Sequence, residues 1–567
     1  MKEVRTEILI IGAGLGGCAA ALAAARLGRR VILTEETDWL GGQLTVQAVP
    51  LDEHQWMDQF GGTRSYRQLR DAARDYYRNH YPLTPDARSD PDLKLGASLV
   101  TRVSAEPRVW LAVLEAQLAP YCSAGRVMIW RRHKPVAVHT AGDRVRAVTL
   151  RDLDSGEERT FSAPYVLDAT ELGDLLPLGG VEYVIGRESR AETGEPNALD
   201  GPAQPRSMQA ITHIFAMDHL PGEDHTIEKP ALYDEFQPSF RYPRDAGGRF
   251  EAHLFPEPST AAFSQWMFRR VLYAGHFQPG FMQSDITLFN AMNDYAGGPI
   301  IEVPDEEVKE HLYRARQRSL SVFYWLQTEA PHWQGDGAGY PGLRLRPDVT
   351  GTSDGLAKAP YIRESRRIRP DFAVLEQHVS AEVSPDGPTR FVDSVGIGRY
   401  GVDIHGSTPA EKGGRPEPSR TRVTSRPGGE SRPRAWPFQI PLGALLPVRV
   451  ENLIPACKNL GVTHITNGCY RLHPVEWNVG EAAGALAAFC LDRGVMPKQV
   501  RATPEHLTDF QQLLTQLGVE LSWPELGAGG SYNQWNNKQR QPDWGETSTQ
   551  RPRWPGWPGS TSTGDSQ

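Results

Sequence analysis

The sequence predicts an α/β fold, in which a Rossmann-like dinucleotide-binding domain is discontinuous along the chain and carries an inserted α+β domain. Three observations predict it: a strand, glycine turn, helix and strand within residues 7–36, an apolar strand ending at Asp168 after a β-meander, and a small-residue helix within residues 471–494. The long chain between the second and third of these features predicts that the domain is assembled from two separate stretches.

The first unit contains "GAGLGG" at residues 12–17, which has the GxGxxG spacing. The preceding "EILII" is typical of a buried strand, the following "CAAALAAARLG" of a helix closed by Gly28, and "RVILTEE" of a second strand ending in acids. A helix N-terminus binds a pyrophosphate, and an acid about 20 residues further on accepts hydrogen bonds from a ribose. The candidate ligand contacts are therefore Gly12, Gly14, Leu15, Gly17, Glu35 and the adjacent Glu36.

A second GxGxxG match, "GIGRYG" at residues 396–401, lacks this context. It is followed by "VDIHGSTPAEKGGRPEPSR", which has no helical apolar period and is rich in Pro and Gly. We interpret it as a glycine-bearing turn or strand, so the sequence predicts one bound dinucleotide rather than two.

Three further segments favour FAD over NAD. In "DWLGGQLT", residues 38–45, two glycines would let the chain pass close to a ligand. In "PYVLDATELGDLLPLGG", residues 164–180, a strand that follows a β-meander from residue 126 ends at Asp168 and turns. In "RLHPVEWNVGEAAGALAAFCLDRG", residues 471–494, a polar approach precedes a helix that we expect to begin at Gly480.

In this order the motifs resemble the glutathione-reductase-type FAD fold. With "PYIRESRRI" at residues 360–368 the chain resembles, over residues 5–500, the FAD-dependent oxidoreductase family. The resemblance implies an extended FAD, with the pyrophosphate at the first glycine turn, the ribose at Glu35 and the flavin near the second glycine pair and the C-terminal helix. It adds these candidate FAD contacts: Gly41, Gly42, Gln43, Val136, Asp168, Ala169, Thr170, Gly480, Glu481 and Ala482. The chain departs from the family at Glu171, where a glycine is commoner.

Four residues are candidates for catalysis. His473 stands seven residues before Gly480, on a segment expected to run along the flavin, where a base could take a proton. Arg471 shares that segment, and His464 precedes it. Arg363 belongs to an arginine run whose guanidinium groups would either bind an acidic substrate group or the FAD pyrophosphate, or pair internally with Glu364. The alternative for His473 is a structural role, in helix capping or core packing, instead of a role as a base.

Composition limits the function classes. The chain has 61 Lys and Arg against 69 Asp and Glu, a net charge of −8, which gives no reason to expect a nucleic-acid partner. No apolar stretch reaches the roughly 18 residues of a membrane helix, so we expect no membrane partner. The five cysteines form no CxxC pair, which predicts reduced thiols and a cytoplasmic protein, and the histidine spacing predicts no metal.

We expect this division of the chain: an FAD-binding domain in residues 1–204 and 436–500, a substrate domain in 205–405, a loop or flap in 406–435, a helical extension in 501–528 and a disordered or docked tail in 529–567. The predicted function is hydride transfer between flavin and a small organic substrate, at a C–H bond next to O or N or at an activated double bond. A flavin-dependent hydroxylase and a non-catalytic flavoprotein scaffold are the alternatives. Oxygen or a carrier would accept the electrons from the flavin. The sequence leaves open whether the protein forms a homo-oligomer.

Overall fold

A five-stranded parallel sheet forms the centre of the nucleotide-binding part. The computed structural model describes residues 3–54, 56–242, 253–255, 264–333, 337–416 and 434–523. The order of strands in the sheet is Leu453–Pro455, Tyr165–Asp168, Ile8–Ile11, Val31–Glu35 and Val127–Arg131. The central strands are buried apolar runs, as expected for a parallel sheet covered on both faces. Because the strands come from distant parts of the chain, the predicted discontinuous Rossmann-like domain is confirmed.

Two helices pack against each other and against this sheet. They are the first helix, Leu15–Arg26, and the long helix, His473–Arg493. Their contact is a backbone contact: a Cβ atom added to Gly480 would lie 1.9 Å from the carbonyl oxygen of Gly16, and one added to Gly484 would lie 2.2 Å from that of Ala20. The small residues in both sequences therefore permit a close approach of the helix axes.

The β-meander is present but shorter than predicted. Its antiparallel strands are His133–Ala141, Arg144–Asp152 and Glu158–Ser162, with Val4–Arg5 added in parallel at the edge. The preceding strand, Val127–Arg131, which we expected in the meander, instead lies in the parallel sheet.

The inserted region contains an antiparallel sheet and a long helix. The order of its strands is Arg270–Leu272, Ile286–Phe289, Phe215–His219 and Leu343–Leu345. The predicted amphipathic helix spans Asp305–Thr328, and the ring of its Phe323 contacts Phe215 of the sheet at a centroid distance of 5.4 Å. This arrangement has the α+β character expected for the insertion, while the exact domain boundaries stay a prediction.

The remaining elements connect these layers. The "GIGRYG" prediction is confirmed, because Ser394–Gly398 is a strand paired with Phe438–Pro441 and no described helix follows it directly. A second short pair joins Tyr183–Val184 to Arg367–Ile368. The other α-helices are Arg64–His80, Pro85–Ser89, Pro107–Ser123, Leu175–Leu178, Arg190–Thr193, Tyr233–Phe236, Gln265–Phe268, Pro347–Thr350, Glu376–Val379, His464–Tyr470, Pro497–Ala502 and Pro504–Leu517.

Parts of two sequence predictions lie outside the described residues. The loop expected at 406–435 is described only up to residue 416 and from 434, and the tail at 529–567 is not described. Within the described ranges, none of the helices has the length and apolar character needed to cross a membrane.

Candidate functional site

The candidate dinucleotide site lies where the parallel strands end. Gly12 follows the strand Ile8–Ile11, and Glu35 and Asp168 close the two neighbouring strands. Lys458 comes shortly after the edge strand that ends at Pro455. Ligands of open α/β sheets bind in the crevice at the carboxyl ends of the strands, so these residues share the expected location.

The glycines of the first turn serve different purposes. A Cβ atom on Gly12 would lie 2.2 Å from the carbonyl oxygen of Ala169, and one on Gly17 would lie 2.0 Å from that of Gly12, so both are needed for backbone packing. Gly14 is the N-cap residue of the first helix and has no side chain to cap it, while the Glu476 carboxylate accepts a hydrogen bond from the Gly16 amide in the first turn. The nearest atom to a Cβ on Gly14 is the flexible carboxylate end of Glu171, at 3.0 Å. Gly14 is therefore the position at which a ligand can approach the helix amides, while Leu15 is buried in the core.

Glu35 has the geometry expected of a ribose acceptor. Its Oε2 accepts a hydrogen bond from the Ala13 amide at 3.0 Å, and its Oε1 accepts from the amide and hydroxyl of Thr37. Burial raises the pKa of Glu35 to about 7. Its neighbour Glu36 is exposed and pairs with Lys134 at 3.0 Å. Val136 lies in the same strand as Lys134, His133–Ala141.

The Asp-Ala-Thr segment holds the turn opposite the first glycines. The Oδ1 of Asp168 accepts hydrogen bonds from the amide and hydroxyl of Thr170, at 3.0 and 2.7 Å, and burial raises the Asp168 pKa to about 7. The Ala169 backbone passes directly against Gly12. In this structure the three residues therefore shape the crevice.

The second glycine pair connects the crevice to the long helix. Gly41 and Gly42 both have positive φ, at 106° and 49°, which glycine adopts without strain. The turn places Gln43 so that its Nε2 donates to the Glu476 carboxylate and to the Arg471 carbonyl oxygen, the latter at 3.3 Å. The loop expected near the flavin is thus fastened to the beginning of the long helix.

A buried lysine, which the sequence analysis missed, completes this end of the crevice. Lys458 is fully buried, forms an ion pair with Glu171, and lies 3.6 Å from Glu476. Burial opposes the charge of Lys458, but the Cys457 sulfur at 3.5 Å and the two carboxylates raise its pKa above the usual range. Glu476 in turn accepts a hydrogen bond from the Gly16 amide at 3.2 Å. No motif in the sequence marks a single lysine after a strand, so only the fold reveals it.

The predicted start of the long helix is wrong. The helix begins at His473 rather than Gly480, with Pro474 in its first turn, a position that suits proline because an amide hydrogen is not needed there. Gly480 consequently lies about two turns inside the helix, against Gly16. Glu481 accepts a hydrogen bond from Ser65 at 2.6 Å, and Ala482 is buried in the core. The structure places these three residues in the helix packing.

His473 is held by the backbone on both sides of its ring. Its Nδ1 accepts a hydrogen bond from the Asp52 amide at 3.1 Å, and its Nε2 lies 3.2 Å from the Val49 carbonyl oxygen, to which it donates. Burial lowers the His473 pKa to about 4, so the ring is neutral. Both nitrogens are already used, which argues against the predicted role as a base.

The other catalytic candidates meet in one group of side chains, which we call the buried polar cluster: Asp294, Tyr361, Arg363, Glu364, Asp403, His405, His464 and Arg471. Its members come from four parts of the sequence, around residues 294, 361–364, 403–405 and 464–471. The carbonyl oxygen of Arg471 accepts the hydrogen bond from Gln43, so the cluster adjoins the loop expected near the flavin.

Two arginines in the cluster lie against the same tyrosine ring. The guanidinium carbons of Arg363 and Arg471 lie 4.6 and 5.6 Å from the Tyr361 ring centroid, and Arg471 also donates to the Tyr361 hydroxyl. Arg363 pairs with Asp294 at 3.0 Å, and Arg471 contacts Asp403 at 3.3 Å. Arg363 is fully buried and does not contact Glu364 through its guanidinium in the described hydrogen bonds; Arg367 forms that pair instead.

His464 is oriented by a carboxylate. Its Nδ1 lies 3.0 Å from Glu364 Oε2, and its Nε2 has no hydrogen-bond partner among the described residues. The His464 ring and the Arg367 guanidinium, together with a hydrogen bond from the Gln209 amide, lower the pKa of Glu364 despite its burial. An imidazole with an ionised carboxylate at one nitrogen and the other nitrogen available is an arrangement used for general base catalysis.

The solvent-facing end of the cluster is a second histidine and acid pair. His405 Nδ1 contacts Asp294, its Nε2 lies 3.4 Å from Asp403, and both His405 and Asp294 are about a quarter exposed, at 26% and 28%. The Arg363 guanidinium and the His405 ring lower the pKa of Asp294 well below its usual range.

The fold and the candidate dinucleotide site agree with the protein family that the sequence matches. Residues 7–514 match the family described as FAD dependent oxidoreductase. The chain belongs to this family. As a family member it is an FAD-dependent oxidoreductase, and the crevice described above is the candidate site for its FAD. A search of curated proteins gave no match.

Some solved structures match only part of the chain. RebC, soaked with chromopyrrolic acid and with 7-carboxy-K252c bound, is 16% identical over 38% of this chain and 39% of its own, with a TM-score of 0.24. The myxobacterial chondrochloren halogenase CndH is 15% identical over 38% and 43%, with a TM-score of 0.19. L-proline dehydrogenase from P. horikoshii is 16% identical over 33% and 25%, with a TM-score of 0.16. The aligned part covers less than half of each of these chains, and such limited likeness carries no argument about the reaction.

The residues of the crevice fit FAD. The first helix begins at Gly14, whose lack of a side chain leaves room for a ligand, and the Glu35 carboxylate stands beside this turn on the Ala13 amide. Among the described residues, Gln43 Oε1 and Glu171 Oε1 are buried acceptors without a hydrogen-bond donor, which suits a ligand rich in hydroxyl groups.

Proposed function

We propose that this FAD-dependent oxidoreductase transfers a hydride between the flavin and a small organic substrate bound at the buried polar cluster. FAD, when bound, supplies the two-electron redox chemistry. The substrate carries its reacting C–H bond next to oxygen or nitrogen, or an activated double bond in the reverse direction. The observation that supports this proposal best is the buried His464 and Glu364 pair, which leaves one imidazole nitrogen available. The pair belongs to the cluster that Arg471 connects to the Gln43 loop.

In the oxidative direction, removing a hydride from an alcohol or amine carbon requires that the O–H or N–H proton also leaves. His464 Nε2 is the proton acceptor in this proposal, and Glu364 fixes the ring through Nδ1 and stabilises the imidazolium that forms. Burial of both side chains strengthens their electrostatic interaction, because water does not screen it.

Arg363 and Arg471 have a supporting role in the proposal. Each guanidinium is paired with a carboxylate and packed on the Tyr361 ring, which holds the cationic groups in fixed positions. Because Asp294 and Asp403 already compensate their charges, we propose that they orient a polar substrate group rather than capture a free anion.

The test is anaerobic reduction of the bound FAD by a panel of alcohols, 2-hydroxy acids and amines. The loss of flavin absorbance measures the rate of reduction. With a compound that bleaches the flavin, His464→Gln is expected to slow reduction about 10²–10⁴-fold, the usual contribution of a general base, at unchanged FAD content. His506→Gln, on the helix Pro504–Leu517 away from the cluster, is the matched control and should keep the wild-type rate. An unchanged rate in His464→Gln would remove His464 from the mechanism, and failure of the whole panel would favour a scaffold. Oxygen uptake by the reduced protein distinguishes an oxidase from a dehydrogenase.

A further inference from the structure

Three polar side-chain atoms at the buried polar cluster have no hydrogen-bond partner within the described part of the chain. They are the amide nitrogen Nε2 of Gln209, the ring nitrogen Nε2 of His464 and the amide oxygen Oδ1 of Asn467. None of the three residues is more than 4% exposed. A buried donor or acceptor that lacks a partner is costly, and in native structures such atoms are usually satisfied by water or a ligand. The reaction proposed above uses only His464, so the two amides need an explanation of their own.

The three side chains meet at Arg363 and Glu364. Oε2 of Glu364 accepts a hydrogen bond from the Gln209 backbone amide at 3.0 Å and lies 3.0 Å from His464 Nδ1. Asn467 Nδ2 donates to the Arg363 carbonyl oxygen at 2.9 Å. His464 and Asn467 are three residues apart on the helix His464–Tyr470, so their side chains share one face of it. The unpartnered atoms therefore belong to side chains that lie against the same short piece of backbone.

The existing contacts determine which end of each amide is unpartnered. Gln209 Oε1 accepts from the His405 backbone amide at 3.2 Å, so the end that remains is the donor, Nε2. Asn467 uses its donor Nδ2 on a carbonyl oxygen, so the end that remains is the acceptor, Oδ1. A single hydroxyl group both accepts and donates, and it is the simplest group that satisfies both ends.

The charges of this region favour a neutral ligand group. The guanidinium groups of Arg363, Arg367 and Arg471 are each paired with a carboxylate of the cluster. No excess positive charge is thus left among these groups for a substrate carboxylate, and burying an anion without a cation is costly.

We infer that the substrate is a vicinal diol, and that Gln209 and Asn467 are its specificity-determining residues. The reacting hydroxyl donates to His464 Nε2, while the hydroxyl on the neighbouring carbon accepts from Gln209 Nε2 and donates to Asn467 Oδ1. The two hydroxyls are adjacent because His464 shares the Glu364 oxygen with Gln209 and a helix face with Asn467. This inference rests on the proposed function, since it takes the His464 site as the place where the substrate binds.

The experiment measures the binding of three matched probes to the FAD-loaded protein by ligand-observed NMR. The probe trans-cyclohexane-1,2-diol has both hydroxyls, cyclohexanol lacks the second, and trans-2-hydroxycyclohexanecarboxylate has a charged group in its place. The wild type is expected to bind the diol about tenfold or more tightly than either of the other probes, because only the diol satisfies both amides without burying an unpaired charge.

Two variants test the residues separately. Gln209→Met removes the donor and Asn467→Leu removes the acceptor, each with a side chain of similar size. Each is expected to reduce the preference for the diol over cyclohexanol to about threefold or less. Gln512→Met, at an exposed position of the helix Pro504–Leu517, is the matched control and should keep the wild-type preference. A general loss of stability lowers the binding of both probes alike, so the ratio of the two affinities reports the contact itself.

A wild type without a preference for the diol, tighter binding of the carboxylate probe, or a preference that either variant keeps in full would overturn the inference. The measurement does not require reduction of the flavin. A diol preference that both variants lose, in a protein whose FAD none of the tested compounds reduces, would support the binding assignment and contradict the hydride transfer alone.

Discussion

At the residue scale, His473 shows how local contacts decide what an imidazole can do. The sequence analysis favoured it as a base because of its distance along the chain from Gly480. In the structure its two nitrogens are occupied by the Asp52 amide and the Val49 carbonyl oxygen, and the ring fastens that segment to the long helix. His464, which has a carboxylate on one nitrogen only, is the better candidate.

Burial of His473 predicts a pH dependence of stability. Its pKa is lowered from 6.5 to about 4 in the folded protein, so the unfolded chain takes up the proton first as the pH falls. The contribution of the neutral ring is therefore complete above pH 6.5 and is lost as the pH falls towards 4. Between pH 7 and 5 we expect the wild type to lose about 2 kcal/mol more free energy of unfolding than His473→Asn, which does not titrate. Chemical unfolding at both pH values measures the difference, and equal losses would show that the ring is protonated in the folded protein.

At the scale of the elements, the contact between the first helix and the long helix determines how closely the two halves of the FAD domain approach. Gly484→Ala would place a Cβ atom 2.2 Å from the Ala20 carbonyl oxygen, and the backbone there cannot move without separating the helices. We expect a loss of about 1–3 kcal/mol in the free energy of unfolding, the usual cost of overpacking.

The control for this prediction is Gly201→Ala, because a Cβ atom on Gly201 has no neighbour within 4 Å and its φ is not in the left-handed region. Thermal unfolding of both variants makes the comparison. A Gly484→Ala protein as stable as Gly201→Ala would mean that the helices are further apart than described.

The elements also show what local sequence can and cannot predict. The strand, turn and helix around Gly12 were predictable because each signal is local and adjacent to the next. The start of the long helix was not, because the helix is buried on every side up to Cys490 and so has no polar face to give a helical period. Its His, Pro and Asn residues were consequently interpreted as an approach loop rather than as its first turns.

At the scale of the whole molecule, the buried polar cluster depends on tertiary structure alone. Asp294 comes from the inserted region, Arg363 and Glu364 from the segment before the strand Arg367–Ile368, and His464 and Arg471 from the C-terminal part of the FAD domain. The sequence identified several of the participants by type, but the acid partners Asp294 and Asp403 have no motif. Pairings across such distances follow from the packing of the domains, which local patterns do not encode.

The central claim is that this chain binds FAD at the first glycine turn, and the most direct measurement is the visible spectrum of purified protein before and after acid precipitation, compared with that of Gly14→Val. A valine at Gly14 projects into the space through which a phosphate approaches the helix amides, whereas a substitution at Gly12 would disturb the fold itself. We predict flavin absorbance in the wild type, with FAD released to the supernatant, and a folded Gly14→Val protein that has lost nearly all of it. A wild type that is colourless and does not take up FAD, or a Gly14→Val protein that remains fully yellow, would contradict the account.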